Sequence, residues 1–151
     1  MKYLFLFLSS ILLFTGSKAF AQEHPGIKFH ESHEAKKKSA PFSDAVEVGN
    51  LFFLAGQIGM DHSTRTMVEG GIQAETKQAI MNIREVLQQH GLTLDHVVKC
   101  TVILSSMDHF AAFNEIYASY FTKKPARTTF AASGLARNAM IEIDVIAVKD
   151  Q

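Results

Sequence analysis

Two charged residues stand where charge is out of place. Arg127 follows Pro125-Ala126 and opens an uncharged run, Thr128-Thr129-Phe130-Ala131-Ala132, while Glu142 sits between Ile141 and Ile143. Both stretches read as strands, and by alternation Arg127, Thr129 and Ala131 share one face. A guanidinium held on a strand is a rigid fork that grips a carboxylate through two parallel hydrogen bonds. A carboxylate among apolar neighbours can orient a water or take its proton. The plainer alternative is that the two charges pair with each other or with solvent. Common catalytic signatures are absent: there is no GxGxxG, P-loop, HExxH, CxxC or GxSxG. The single cysteine, Cys100, lies in the run Val97 to Leu104 and reads as a buried strand residue without a nucleophile's setting.

The elements that must position these residues follow from periodicity. Val46 and Val48, then Leu51-Phe52-Phe53-Leu54, with Gly49-Asn50 between them, read as two strands joined by a tight turn within Val46 to Ile58. From Ile72 to His90 the apolar positions Ile72, Ala79, Ile80, Ile83, Val86 and Leu87 keep helical spacing. Gln73, Glu75, Lys77, Gln78, Arg84, Glu85 and Gln88 are expected on the wet face, and Gly91 ends the helix. Val97 to Leu104 is β-branched enough for a buried strand. Ser106 or Asp108 is expected to cap a second helix, Met107 to Phe121, before strands at Arg127 to Ala132 and Met140 to Val148. The order β-β-α-β-α-β-β predicts an α+β domain, a mixed sheet with two helices on one face. Along the last strand Ile141, Ile143, Val145 and Ala147 point one way, and Glu142, Asp144, Ile146 and Val148 the other. Both sides carry apolar residues, so the second face needs a cover, and another copy of the chain is the natural one.

Charge and composition narrow the function. The 151 residues hold 15 basic and 15 acidic side chains, which excludes a strongly basic nucleic-acid binder. Met1 to Ala21 reads as an export signal: Lys2, an apolar run from Leu4 to Phe14, and Ala19-Phe20-Ala21 as a cleavage pattern. The run is short for a membrane span, which needs about 20 apolar residues. Cleavage removes Lys2 and Lys18 and no acid, leaving two acidic charges in excess. The product is expected to be exported, periplasmic or secreted, and free of the membrane. Residues 22–40 read as a polar segment, with a short strand around Ile27 to Phe29 and Lys36-Lys37-Lys38 in a solvated tail. His24, His30 and His33 lie here, but nothing in the stretch promises to hold them convergent, so no metal site is expected. Residues 41–151 are expected to form a single domain.

Three stretches together resemble the RidA/YjgF family, also labelled endoribonuclease L-PSP. They are Asn50 to Gly59 (Asn-Leu-Phe-Phe-Leu-Ala-Gly-Gln-Ile-Gly), Pro125 to Thr129, and Ile141 to Val148. The likeness runs from about Pro41 to Lys149 and includes Asn82-Ile83, Val98 to Val102, and Phe110 to Tyr117. It implies a chorismate-mutase-like α+β fold, assembled as a homotrimer with clefts between subunits. It also implies cofactor-free hydrolysis of 2-imino and 2-enamino acids to 2-keto acids and ammonia. In that scheme Arg127 anchors the substrate carboxylate and Glu142 places or activates the water. Gly56 and the backbone near Thr129 shape the pocket, and Asn114 matches a cleft residue. Phe42, Ala55 and Thr129 stand where many members have Tyr, Ser and Cys, departures that favour a more apolar substrate or a weaker deaminase. A trimeric small-carboxylate-binding protein is the competing expectation, and a ribonuclease the remote one, since no basic stripe with interleaved aromatics is present.

Overall fold

The structure, a computed structural model, describes residues 26–150. The expected signal, Met1 to Ala21, lies outside the described residues. Six strands and two helices follow one another as β1 (Ile27–His30), β2 (Ala45–Val48), β3 (Leu51–Ile58), α1 (Gly71–Gln89), β4 (Val97–Leu104), α2 (Phe110–Tyr120), β5 (Ala126–Ala131) and β6 (Ile141–Val148). They form one sheet in the order β1-β2-β3-β6-β4-β5. Only β4 and β5 run parallel, and the crossover this requires is α2. The expected α+β architecture is observed, and β2 to β6 with the two helices follow the expected order along the chain, preceded by the short strand β1.

The hydrophobic pattern explains each element. α1 buries Ala79, Ile80, Ile83, Val86 and Leu87 against the sheet. It stops at Gly91, whose φ of 73° lets the chain turn into the left-handed region at no Cβ cost. Ser106 is the residue that caps: its Oγ accepts from the Asp108 N–H at 3.1 Å. The capped residues form a 3-10 turn, Met107–His109, so α2 begins at Phe110 rather than Met107. Under the helices lie Phe52 and Leu54 of β3, Cys100, Val102 and Leu104 of β4, and Ile141, Ile143, Val145 and Ala147 of β6. Cys100 is fully buried, and that burial pushes its thiol up to about 11, which removes it as a nucleophile at neutral pH.

Two expectations give way. Glu75, placed on the wet face of α1, is buried and accepts a 2.8 Å hydrogen bond from the Met140 N–H. The notch it enters exists because Gly59 has no side chain; a Cβ there would collide with Glu75. The N-terminal segment is not a solvated tail. β1 pairs with β2, Ser32 and Lys37 are buried, and Lys37 Nζ meets Asp44 Oδ1 at 2.6 Å. A lysine buried beside a carboxylate is retained because the pair neutralises itself.

Among the described residues no helix covers the sheet's second face. Pairing sets Phe29, Val46, Phe53 and Ile146 in one row across it, and Ile27, Val48, Leu51 and Val148 in the next. Phe29 is 71% exposed and Phe53 40%. Among the described residues no helix is long and apolar enough to cross a membrane.

Candidate functional site

Glu142 owes its position to an irregularity in β3. The strands β3 and β6 match residue for residue from Leu51–Val148 to Leu54–Val145, then Gln57 meets Ile143. The extra residue on β3 makes a bulge at Ala55-Gly56. A Cβ on Gly56 would collide with the Glu142 carboxylate, so the bulge needs glycine to let that carboxylate lie flat against the backbone. Burial, reinforced by nearby Asp144, holds the Glu142 carboxyl above the ordinary range. A carboxylate so placed is a better proton acceptor than a solvated one.

Around it is a cavity of about 380 Å³ whose walls include Phe42, Gly56, Gln57, Ile58, His62, Arg65, Arg137, Lys36 and Lys37. Of the four basic residues in this lining, Lys37 is paired with Asp44 and Arg65 with Glu34. Arg65 and Arg137 do not stand out in the sequence, and the lysine run that holds Lys36 and Lys37 reads there as a solvated tail. Arg137 and Asn138 are consecutive residues at φ 57° and 56°, a costly pairing outside glycine; the Asn is the only hint the sequence offers. The cavity's floor is pinned by Asn82 of α1, buried, whose Nδ2 donates to the carbonyls of Ile58 (3.1 Å) and Met60 (2.9 Å).

Arg127 lies elsewhere. It pairs in register with Cys100, so its side chain rises on the helix face. Its Cζ is 4.6 Å from the Tyr117 ring centroid and 5.1 Å from that of Phe113, and Nη1 donates to Asn114 Oδ1 at 2.9 Å. No carboxylate lies within ion-pair distance among the described residues. The aromatic platform fixes the plane of the guanidinium and one hydrogen bond occupies one of its five N–H groups, leaving a fork to offer. It opens on a separate hollow of about 390 Å³ with Asn114, Tyr117, Phe121 and Pro125.

Arg127 and Glu142 are thus on opposite faces of the sheet. Glu142 pairs with Ile103 on the uncovered side and Arg127 with Cys100 on the helix side, so within a chain they cannot pair with each other. The structure brings Phe42, Gly56 and Glu142 into one cavity, and Asn114 and Arg127 into the other. Ala55 and Thr129 line neither. Ala55 is half-buried beside Gly56, and Thr129 is half-buried on the Arg127 face with its Oγ1 unpartnered. Near the first cavity, His33, Glu34 and His62 bring three donor atoms within 4.8 Å of one another.

Comparison with known proteins settles the kinship. The family model described as endoribonuclease L-PSP matches residues 32–149. The chain belongs to the RidA/YjgF family. It is 42% identical over 120 residues to a RutC family protein of Pyrococcus abyssi, covering 79% of this chain and 94% of that one. It is 41% identical over 110 residues to the 2-iminobutanoate/2-iminopropanoate deaminase of Mus musculus, covering 72% and 82%. Among solved structures, a putative endoribonuclease of Thermotoga maritima superposes with a TM-score of 0.76 at 42% identity, over 82% of this chain and 98% of that one. The RidA/YjgF sheet and its two helices are therefore accounted for throughout the described domain.

Proposed function

We propose that this RidA/YjgF protein hydrolyses 2-imino acids to 2-keto acids and ammonia, in clefts that join the Arg127 hollow of one subunit to the Glu142 cavity of its neighbour. The observation that carries the reading is Arg127 itself, stacked, oriented and without a carboxylate partner among the described residues. A guanidinium half-buried on aromatic rings with an unused fork is poised for a small organic acid. An imine carbon is already electrophilic, so positioning contributes most of the catalysis. Glu142 takes a proton from water as the oxygen adds to the carbon and passes it to the nitrogen, giving a carbinolamine; the hydroxyl proton then moves by way of Glu142 to the same nitrogen as the carbon–nitrogen bond breaks, giving the keto acid and ammonia. The placement of the two residues on opposite faces supports a site made by two chains, and the apolar rows of the open face support a closed assembly, taken here as a trimer. The deaminase name of the mouse relative points to the same reaction class.

The test is the decay of 2-iminopropanoate generated by an amino-acid oxidase. Wild type accelerates it, and Arg127→Ala removes the acceleration; equal rates for the two proteins end the proposal. Phe42, lining the Glu142 cavity in place of a hydroxylated ring, favours a second reading, a carboxylate binder without turnover. Calorimetric binding of 2-ketobutyrate by a chain inactive on imines selects it. Export belongs to the proposal too: a mature chain beginning at Gln22 supports it, and one retaining Met1 removes it.

A further inference from the structure

Of the three histidines of the N-terminal segment, which spacing alone left without a metal site, His24 lies outside the described residues, and His30 and His33 part company in the fold. His30 is spent on Glu47, with Nε2 3.0 Å from Oε2, and on the His90 ring. His33 instead joins Glu34 and, from the loop after β3, His62, a residue the sequence pattern did not single out. The packed arm supplies the hold that a free tail lacks.

Two of the three donors, Glu34 and His62, are buried and make no hydrogen bond through the atoms that face each other. The Glu34 and His62 side chains are only 10% and 11% exposed. Glu34 Oε1 and His62 Nδ1 stand 2.9 Å apart without hydrogen-bond geometry, and both are buried atoms lacking a hydrogen-bond partner. Two buried donor atoms left in this state are costly. The surroundings hold the set in place: Arg65 Nη1 lies 3.4 Å from the other Glu34 oxygen, Asp44 Oδ2 3.9 Å from His33 Nδ1, and Glu85 Oε2 3.4 Å from His62 Nδ1. Carboxylates and cations of this kind orient the ligands of metal centres.

We propose that His33, Glu34 and His62 bind a divalent transition-metal ion, with Zn²⁺ as the representative, and thereby pin the N-terminal arm to the loop after β3. Two imidazoles and a carboxylate suit zinc and its first-row neighbours, whereas calcium and magnesium want six or more oxygens. Three protein ligands leave a coordination position open, filled by water or by Glu85. Because His62, Lys36 and Lys37 also line the Glu142 cavity, the ion stiffens one wall of it.

The experiment is calorimetric titration of Zn²⁺ into the chelator-treated full chain, with the absorption spectrum of Co²⁺ as a second readout. The expected result is one saturable equivalent per chain, a visible Co²⁺ band, and a melting temperature raised by Zn²⁺. His62→Gln weakens binding by more than about 100-fold, beyond the 10- to 100-fold typical of an orienting partner. His33→Gln, at a more exposed position, does the same and guards against a folding defect at His62. His96→Gln, in the 3-10 turn before β4 and bonded to Thr93 rather than to this cluster, leaves binding unchanged. No saturable uptake, or uptake that survives both His33→Gln and His62→Gln, overturns the proposal and leaves the cluster as a histidine between two glutamates.

Discussion

At the scale of single residues, the proposed chemistry depends on one missing side chain and one raised carboxyl. Gly56→Ala thrusts a Cβ into Glu142; either the bulge or the carboxylate moves, at a cost of about 1–3 kcal/mol. Imine hydrolysis is expected to fall with it, measured beside a denaturant melt. Glu142→Gln separates catalysis from stability. Its loss as a proton acceptor lowers kcat by about 10²–10⁴. Stability moves the other way: burial raises the folded carboxyl above its unfolded value, so ionisation is harder in the folded chain. That contribution is full below the unfolded pKa and is lost as pH rises through the folded one. The Gln variant should therefore gain stability over wild type as pH rises from acid to neutral, and a gap that stays constant with pH refutes the assignment. Arg127 and Glu142 were legible because charge interrupts uncharged strands. Arg137 was not, because an arginine in a turn is ordinary until the fold shows its left-handed backbone beside the cavity.

At the scale of elements, α1 shows what periodicity can and cannot read. Its apolar stripe was plain in the sequence, and the helix spans Gly71–Gln89 close to expectation. Polar residues on its flank were harder, since Glu75 and Asn82 are buried by what the loop after β3 offers them, a glycine notch and two carbonyls. Neither partner is local in sequence, so no pattern within the helix announces them. Asn82→Ala strips the carbonyls of Ile58 and Met60 of their donor; the expected loss is about 1–3 kcal/mol for buried groups left unpaired, read from chemical denaturation. Glu75→Gln keeps an acceptor for the Met140 N–H while removing a carboxyl that burial raises. By the same sign, its advantage over wild type should grow with pH. The arm differs from expectation for a related reason: a lysine run looks solvated until β1 pairs with β2 and Asp44 receives Lys37.

At the scale of the whole molecule, the deciding fact is that Arg127 and Glu142, the two side chains of the proposed site, lie on opposite faces of the sheet. Alternation along β6 already implied that one face lacked a cover. The sequence did not disclose that β5 would be an edge strand paired only with β4, which leaves Arg127 at the margin where a neighbouring subunit can reach it. Light scattering is expected to give three chains per particle, through the rows headed by Phe29 and Ile27. A stricter test uses two dead variants. Arg127→Ala keeps its carboxylate and Glu142→Gln keeps its fork, so neither works alone. When equal amounts are co-expressed and assemble at random, a site built from two chains finds both residues intact in about one quarter of cases. Roughly a quarter of wild-type activity should therefore return in the mixture, although each parent has none. A site contained within one chain can never recover this way, and a mixture as inactive as its parents would refute the shared cleft while leaving the fold and the family untouched.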